Sequence, residues 1–324
     1  MRVFVEAAAR LHFGVLDPRG ARGRRFGGIG AAASAPTLLL SAEPADTLDV
    51  QGEDADRAAE FARRFLSYAG IENGVRLNVH RALPTHSGVG SGTQLALSVA
   101  RAIATLYDVN TDAPALAAAI GRGRRSAVGT WLFERGGFVV EGGHDLSGGA
   151  AAVRTAAASV APLVASVPFP ASWRCVLAIP ASEPSVSGAA EDAAIANLPA
   201  PSEAEVERVA HLVNAGLLPA ITDGDLQTFG DALTEIQQIN GRWFAPAQAG
   251  LFAPGASHHL VRCMADWGAP GVGQSSWGPA VYGIVEGEDA GVALASRVQT
   301  ELGAGGSVYE GAFRATGARV SVAL

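Results

Sequence analysis

A glycine-rich loop at residues 84–93 is the stretch of this sequence best suited to bind an anion. Apolar residues at helical spacing follow the loop, which contains Gly88, Gly90, Ser91, Gly92 and Thr93. Glycines let the backbone approach a ligand closely, and a following helix aims its free N–H groups and positive dipole end at the loop. These features together predict a phosphate site, although a glycine turn capped by a hydroxyl side chain has the same pattern.

A second short stretch is crowded with arginines, at positions 19, 22, 24 and 25, directly before Gly27 and Gly28. Guanidinium groups match phosphate oxygens in charge and geometry, so this basic loop is interpreted as a flexible arm that folds over a polyanion. A solvated basic loop is the alternative. All 24 basic residues of the chain are arginine, which excludes a Schiff-base lysine and the lysine of a Walker A motif.

The composition is that of a globular enzyme. The 324 residues suffice for two domains, and 48% of them are hydrophobic. The net charge of −7 argues against a general nucleic-acid binder, and no apolar run is long enough to span a bilayer. Cys175 and Cys263 are isolated in the sequence, so neither a disulfide framework nor a zinc site is indicated. We therefore expect a cytoplasmic protein with no nucleic-acid or membrane partner.

The elements that must position these loops follow from the hydrophobic pattern. In the first half we expect strands at 2–9, 31–40 and 74–83, helices at 54–69 and 112–120, and a tight turn feeding a strand at 129–140. In the second half we expect strands at 173–179 and 280–285, helices at 203–218, 225–239 and 258–267, and an aromatic loop at 240–246. A βαββαβ-like order in this half predicts an antiparallel sheet with helices on one face.

Several motifs spread over nearly the whole chain carry a family resemblance. They are Arg10-Leu11-His12-Phe13-Gly14, Gly27-Gly28-Ile29-Gly30, Gly90-Ser91-Gly92-Thr93-Gln94-Leu95, Arg125-Ser126, Gly136-Gly137-Phe138-Val139-Val140, Phe244-Ala245-Pro246 with Gln248, and Gly273-Gln274-Ser275-Ser276-Trp277-Gly278-Pro279. In this order they resemble the GHMP kinase superfamily, and in detail its non-kinase branch, the β-ribofuranosylaminobenzene 5′-phosphate synthases. The resemblance implies an α+β, two-domain GHMP-kinase-like fold: an N-terminal domain with the phosphate loop (1–160) and a ferredoxin-like C-terminal domain (161–324).

The resemblance also implies an activity. Enzymes of this branch join phosphoribosyl pyrophosphate to 4-aminobenzoate or 4-hydroxybenzoate, with loss of pyrophosphate and carbon dioxide, in tetrahydromethanopterin biosynthesis. It further implies Mg²⁺ as cofactor and a homodimer. Two other functions stay open: an ATP-dependent GHMP small-molecule kinase, and a non-catalytic phosphometabolite-binding protein. The kinase is disfavoured because residues 129–132, where the superfamily's kinases carry a catalytic Asp, read Gly-Thr-Trp-Leu.

Site residues follow from the resemblance and from the chemistry. The expected catalytic residues are Arg24, Arg25, His12 and Asp17, with Asp17 also the expected magnesium ligand. His12 is expected to donate a hydrogen bond to substrate, or to be a packed structural histidine. The expected phosphate- and substrate-binding residues are Arg10, Gly28, Gly88, Gly90, Ser91, Gly92, Thr93, Gln94, Arg125, Ser126, Gln274, Ser275, Ser276 and Trp277.

Overall fold

Two long antiparallel strands form the framework of the larger sheet. The structure, a computed structural model, describes residues 1–147, 160–181 and 189–323. Strand β1 (Arg2–Asp17) alternates apolar and polar side chains, and its buried face carries Val3, Val5, Ala7, Ala9, Leu11 and Phe13. Such an alternation buries one face of a strand and exposes the other. The partner strand is β2 (Arg24–Ala45), and bulges in their pairing occur at Ala8/Ala9 and His12/Gly14.

The larger sheet has the order β12-β1-β2-β4-β3, with β5 and β6 paired to β2, and β7 paired to β5. The remaining strands are β3 (Asp49–Gly52), β4 (Gly74–Arg81), β5 (Phe138–Glu141), β6 (His144–Asp145), β7 (Leu163–Val167) and β12 (Arg319–Ala323). Its helices are α1 (Ala55–Ala69), α2 (Ser91–Leu106), α3 (Ala113–Ala119) and α4 (Val128–Arg135). Helix α2 packs on β1 and β2 and is buried over most of its length.

The smaller sheet has the order β11-β8-β10-β9 and is antiparallel throughout. Its strands are β8 (Trp173–Pro180), β9 (Gly271–Gln274), β10 (Val281–Glu286) and β11 (Gly306–Ala312). The helices are α5 (Ala189–Ala196), α6 (Glu203–His211), α7 (Leu218–Asp223), α8 (Leu226–Gln248), α9 (Ala256–Asp266) and α10 (Glu288–Leu302), and a π-helical segment, Leu212–Leu217, joins α6 to α7. The predicted α+β fold, with a ferredoxin-like second sheet, is confirmed.

Aromatic side chains pack the two sheets onto each other. The rings of Phe13 on β1 and Tyr282 on β10 are 4.8 Å apart, and those of Trp173 on β8 and Phe229 on α8 are 5.1 Å apart. Phe138 on β5 contacts Phe229 edge-on. All of these rings except Phe229 come from different strands of the two sheets, so a shared core fixes the relative position of the strands that carry the candidate site.

Two sequence-based expectations were wrong. Residues 129–132 form part of helix α4, not a tight turn, because Gly129 allows α4 to pack closely on the Thr93 side chain at the start of α2. Residues 240–246 lie inside helix α8, not in a loop. There the Asn240 side chain accepts from the Val15 amide at 2.6 Å, and the close Leu251 backbone leaves no room for a side chain at Gly241.

The proposed boundary at residue 160 stays a prediction. Strands β7 and β12 lie beyond it in the sequence and pair within the larger sheet. Residues 150–170 are rich in Ala, Ser, Val and Pro, which predicts the passage from the first domain to the second there, and residues 150–159 lie outside the described residues. Within the described part of the chain, no helix is both long and apolar enough to cross a membrane.

Candidate functional site

A cavity of about 580 Å³ lies where the glycine-rich loop, strand β1 and the loop after β9 meet. The glycine-rich loop supplies residues 86–88 and 90–93, and the β9–β10 loop supplies Ser276 and Trp277. Helix α8 and the segment after it close the opposite side with Asn240, Phe244 and Leu251. The cavity therefore lies between the two sheets, at the ends of elements that the shared core holds in place.

The start of helix α2 forms one wall of the cavity. Gly90 is the N-cap residue, and no side chain caps the helix there. The Thr93 and Gln94 amides donate to the Gly90 carbonyl at 3.1 and 3.0 Å, while Ser91 and Gly92, which precede them, line the cavity. An uncapped 16-residue helix with no acidic residue in its first turn directs its positive end toward the space in front of it.

An arginine cluster surrounds this helix end. Its members all line the cavity, and they are Arg10, Arg57, Arg122, Arg124 and Arg125. The Arg10 guanidinium donates to the Gly88 carbonyl at 3.1 Å, and Arg57 pairs with Asp54 at 2.8 Å. Among the lining residues that the structure describes, none is Asp or Glu. A cavity with five guanidinium groups and no carboxylate attracts anions, although the chain as a whole is acidic.

Arg122 lies in the most crowded part of the arginine cluster. Burial, followed by the neighbouring charges of Arg57 and Arg64, lowers the pKa of Arg122. Its guanidinium lies over the Phe61 ring at 4.9 Å, and within the described part of the chain no carboxylate forms an ion pair with it. An arginine stays charged in a protein, so the cluster is in mutual repulsion that a bound polyanion relieves.

A buried polar network lies behind the arginine cluster. The His12 Nε2 is 3.3 Å from the Ser126 hydroxyl, and Ser126 also hydrogen-bonds the Glu141 carboxylate. The other donors to Glu141 are the backbone amides of Ala127 and Gly143, at 3.2 and 2.8 Å. Glu141 is fully buried, so these donors stabilise a carboxylate that solvent does not reach.

This network determines which ring nitrogen of His12 carries the proton. Burial, followed by the charge of Arg10, lowers the pKa of His12 to about 3, so the imidazole is neutral at physiological pH. Ser126 has a single hydroxyl hydrogen, and Glu141 accepts it; His12 Nε2 is therefore the donor to Ser126. The Nδ1 atom is left as a hydrogen-bond acceptor. The role of His12 as a hydrogen-bond donor to substrate stays a prediction, and its Nε2–H is already donated to Ser126.

We expect the Glu141→Gln variant to be less stable by about 1–3 kcal/mol, because its NH₂ group faces a backbone N–H that now has no acceptor. Burial raises the pKa of Glu141, so above the ordinary value of about 4.3 the native state binds more protons than the unfolded chain. Wild-type stability therefore falls as the pH rises through the window above that value. The variant lacks this term, and its deficit should narrow with rising pH.

Urea unfolding of both proteins between about pH 5 and 8 measures the difference in their free energies of unfolding. The matched control is Glu60→Gln, a change at an exposed carboxylate that pairs with Arg64 on the surface of α1. It should stay within about 0.5 kcal/mol of the wild type. A deficit for Glu141→Gln that widens as the pH rises would contradict the assigned burial of the charge.

Ser275 joins three parts of the site. Its hydroxyl accepts from the His12 amide at 2.9 Å and donates to the Gly88 carbonyl at 2.8 Å. The Ser276 amide in turn donates to the His12 carbonyl at 3.3 Å. Ser275 is fully buried and is not part of the cavity lining. It therefore fixes the glycine-rich loop against β1 and the β9–β10 loop.

Aromatic and amide side chains line the end of the cavity opposite the arginine cluster. The rings of Phe244 and Trp277 pack edge to face, with centroids 5.2 Å apart. Gln274 accepts from the Ala253 amide at 2.6 Å and donates to Gln248 and to the Ser276 carbonyl. The side-chain amide of Gln274 therefore helps to hold the β9–β10 loop in place. The cavity has one cationic end and one aromatic end, so it suits a substrate pair of an anion and a flat ring.

Most of the sequence-predicted site residues meet at this cavity. Those that line it are Arg10, His12, Gly88, Gly90, Ser91, Gly92, Thr93, Arg125, Ser126, Gln274, Ser276 and Trp277. Gly28 lies directly behind His12, where an added Cβ would be 3.1 Å from Nε2. Gln94 is buried and donates to the Gly129 carbonyl at 3.0 Å.

Besides Gly28, Gln94 and Ser275, three further predicted residues lie outside the cavity lining. The Arg24 guanidinium donates to the Gly142 and Gly143 carbonyls, and that of Arg25 donates to the Pro18 carbonyl at 2.9 Å. The Asp17 carboxylate accepts from the amides of Arg19 and Gly20 and so closes the turn after β1. Their catalytic and metal-binding roles stay predictions.

Three arginines and one carboxylate are among the site residues that sequence reasoning missed. Arg57, Arg122 and Arg124 line the cavity, and Glu141 supports His12 from behind. The Gly-Arg-Gly-Arg-Arg run at 121–125 was the one available signal, because glycines beside arginines give guanidinium groups access to a ligand. Arg57 is on a helix of ordinary amphipathic pattern, and nothing in its local sequence distinguishes it.

Comparisons with known proteins agree with this arrangement. The GHMP kinases N terminal domain family matches residues 56–130. The β-ribofuranosylphenol 5′-phosphate synthase of Methanothermobacter thermautotrophicus is 34% identical over 306 residues, covering 90% of this chain and 92% of that protein. The protein of the same name from Archaeoglobus fulgidus is 32% identical, covering 88% of each chain.

Among solved structures, homoserine kinase from Cytophaga hutchinsonii superposes with a TM-score of 0.68 at 18% identity. The alignment covers 99% of this chain and 97% of that one. This likeness establishes the fold, which spans the whole chain, and the sequence relatives establish the branch. The chain belongs to the β-ribofuranosylphenol 5′-phosphate synthase family of the GHMP kinase superfamily.

Proposed function

We propose that this protein is a decarboxylating phosphoribosyltransferase that joins phosphoribosyl pyrophosphate to 4-hydroxybenzoate in tetrahydromethanopterin biosynthesis. The observation that carries the proposal is the identity of 31–34% to synthases of one name over 86–90% of the chain. That name specifies a phenol, so the acceptor ring keeps a hydroxyl group. This favours 4-hydroxybenzoate over 4-aminobenzoate, which the sequence left open.

The reaction balances without a covalent enzyme intermediate. The bond between the anomeric carbon and pyrophosphate breaks, and its electron pair leaves with the pyrophosphate. The ring carbon that bears the carboxylate forms the new C–C bond, and the electron pair of the carbon–carboxylate bond returns to the ring as carbon dioxide departs. What the enzyme must supply is stabilisation of the leaving charge and exclusion of water.

The arginine cluster and the start of α2 are suited to the donor's phosphates. The Arg10 guanidinium donates to the Gly88 carbonyl of the glycine-rich loop, and the guanidinium groups of Arg57 and Arg122 lie over Gly92. A preorganised cationic surface stabilises the developing charge on pyrophosphate more than it stabilises the intact donor. The donor's 5′-phosphate is a second anionic group that the same arginine cluster and helix amides can bind.

The aromatic end is suited to the acceptor ring. Phe244 and Trp277 form an edge-to-face corner there, with Leu251 and Phe252 beside it. An apolar corner stacks a ring and leaves its carboxylate poorly solvated, which favours loss of carbon dioxide. His12 Nδ1, left as an acceptor by the network behind it, takes a hydrogen bond from a substrate hydroxyl.

Mg²⁺ fits this site only as a companion of the donor. The described lining contains no carboxylate, and Asp17 is engaged by two backbone amides. Magnesium bound through phosphate oxygens and water needs few protein ligands, so the ion enters with the pyrophosphate group. The homodimer implied by the resemblance also stays a proposal, and sedimentation at assay concentration measures it.

The two other functions have less support. A GHMP kinase deprotonates or orients a hydroxyl with a carboxylate, and the described cavity lining has none. The carboxylate nearest in sequence to the expected position, Glu134, accepts from the Ala113 amide and pairs with Arg101 at 3.4 Å. A phosphometabolite-binding protein would keep the arginine cluster without turnover.

The deciding experiment incubates the protein with phosphoribosyl pyrophosphate, carboxyl-labelled 4-hydroxybenzoate and Mg²⁺. We expect labelled carbon dioxide and pyrophosphate in equal amounts, with 4-aminobenzoate the slower acceptor. Parallel incubation with ATP and the same acceptor should release no ADP. Donor binding without release of label would favour the phosphometabolite-binding protein, and ATP-dependent phosphorylation would favour the kinase.

A further inference from the structure

Three different metal-binding side chains meet on the surface of the smaller sheet's helix layer. His259 and Cys263 are one turn apart on α9, and Glu301 is on the neighbouring α10. The His259 Nε2 is 2.6 Å from a Glu301 carboxylate oxygen and 3.4 Å from the Cys263 Sγ. All candidate ligand atoms lie within 4.8 Å of one another. None of the three residues lines the cavity described above.

We propose that His259, Cys263 and Glu301 form a binding site for a borderline divalent cation, with Zn²⁺ the expected ion. An imidazole nitrogen, a thiolate and a carboxylate oxygen are its three common protein ligands. A water molecule takes the fourth tetrahedral position, because His259 and Glu301 are exposed.

The distances agree with this coordination. With Zn–S near 2.3 Å and Zn–N near 2.05 Å, tetrahedral angles place the sulfur and nitrogen about 3.6 Å apart. The observed separation between Cys263 Sγ and His259 Nε2 is 3.4 Å. The His259–Glu301 distance of 2.6 Å is that of a hydrogen bond, and it must lengthen to about 3.4 Å when a cation replaces the proton. Glu301 is an exposed side chain, so a rotation about its own bonds supplies that change.

Only the thiolate form of Cys263 is a zinc ligand, so Zn²⁺ binding releases the thiol proton. Binding also ties α9 to α10, and α9 holds the β9–β10 loop through a bond of 2.8 Å from the Ser257 hydroxyl to the Pro279 carbonyl.

No local sequence pattern indicates this site, because Cys263 has no second cysteine at metal-binding spacing. His259 and Cys263 are four residues apart, which places them on one face of a helix. The third ligand is more than thirty residues further along the chain. Only the packing of α9 against α10 brings the carboxylate to the other two groups.

Titration of the metal-free protein with Co²⁺ tests the proposal, because thiolate-bound tetrahedral Co²⁺ has a characteristic charge-transfer absorption. We expect one equivalent to bind with that absorption, and Zn²⁺ to displace it. Cys263→Ser should abolish the charge-transfer band. His259→Ala should weaken Zn²⁺ binding, measured by calorimetry, by more than the ~10–100-fold that loss of an outer-shell partner costs.

The matched control is His258→Ala, which removes a neighbouring exposed histidine outside the cluster. It should keep both the absorption band and the affinity. All substituted side chains are at the surface, so the variants are expected to fold. Identical Co²⁺ spectra for the wild type and Cys263→Ser, or no stoichiometric binding of Zn²⁺, would leave only a surface His–Glu ion pair and overturn the proposal. Synthase activity does not enter this test, so its outcome is independent of the proposed function.

Discussion

Replacing Arg122 by alanine is expected to lower kcat/KM for phosphoribosyl pyrophosphate by about ten- to a hundred-fold. A charge-assisted hydrogen bond to the donor contributes roughly 1.5–3 kcal/mol, and its loss from the transition state appears directly in kcat/KM. Arg122→Lys should recover only part of the loss, because an ammonium group cannot make a bidentate contact with phosphate. Steady-state kinetics with the donor varied at saturating acceptor measure both variants.

The stability of the same variant separates a functional arginine from a structural one. Folding buries Arg122 and places it among like charges, and both effects lower its pKa, so the charged form is less stable in the native state than in the unfolded chain. Removing the charge relieves that repulsion. Arg122→Ala should therefore unfold at the same or a higher urea concentration than the wild type. A parallel loss of activity and stability would indicate a packing role instead.

Two sets of arginine variants complete the test. Arg22→Ala is the matched control, because Arg22 is exposed and pairs with Glu203 and Glu207; it should stay within about two-fold of the wild type. The sequence-based hypothesis expects large losses for Arg24→Ala and Arg25→Ala. The structure predicts smaller losses of kcat/KM for these two variants, since both guanidinium groups donate to backbone carbonyls outside the cavity lining. The order of the losses decides between the two assignments.

The sequence predicted well those features of the fold that depend on residues close together in the chain. A glycine-rich loop before an apolar helix predicts the helix start that lines the cavity, and alternation along β1 determines which face is buried. The four-stranded sheet followed from the order of its elements. Ser275 was also among the predicted residues, although its contribution is to join the loops and not to line the cavity.

What the sequence could not predict depends on residues far apart in the chain. Arg57 and Arg122 meet over Gly92 because α1 and the loop after α3 both pack at the start of α2. Glu141 looked like one more carboxylate in a glycine-rich turn, and only the fold buries it behind His12 and Ser126. The role of the basic loop at 19–25 as a polyanion arm stays a prediction, because local charge density does not show which way side chains point, and here Arg24 and Arg25 donate to backbone carbonyls.

Gly88→Ala is expected to cause the largest loss in the glycine-rich loop, about a hundred-fold or more in kcat/KM. Gly88 has φ +84°, and an added Cβ would lie 2.3 Å from the Ser275 backbone carbonyl oxygen. The substitution therefore pushes the glycine-rich loop away from the β9–β10 loop. A shift of about 1 Å in groups that position a substrate costs on the order of a hundred-fold in rate.

Gly23→Ala is the matched control for backbone strain. Gly23 has φ +86°, and no described atom lies within 4 Å of its added Cβ. Both variants pay the left-handed strain of about 1–2 kcal/mol, and only Gly88→Ala adds the collision. Activity should fall in Gly88→Ala alone, and its stability should fall further than that of Gly23→Ala. Equal effects in the two variants would show that the contact with Ser275 is not needed.

A double-mutant cycle with Arg10 tests how Gly88→Ala lowers activity. The Gly88 carbonyl accepts from both the Arg10 guanidinium and the Ser275 hydroxyl, at 3.1 and 2.8 Å. Displacing Gly88 thus releases Arg10 from the position in which it faces the donor. Adding Arg10→Ala to Gly88→Ala should therefore cost much less than Arg10→Ala costs in the wild type, whereas its effects should add to those of Gly23→Ala. Additive losses in both cycles would mean that Arg10 is positioned independently of the loop.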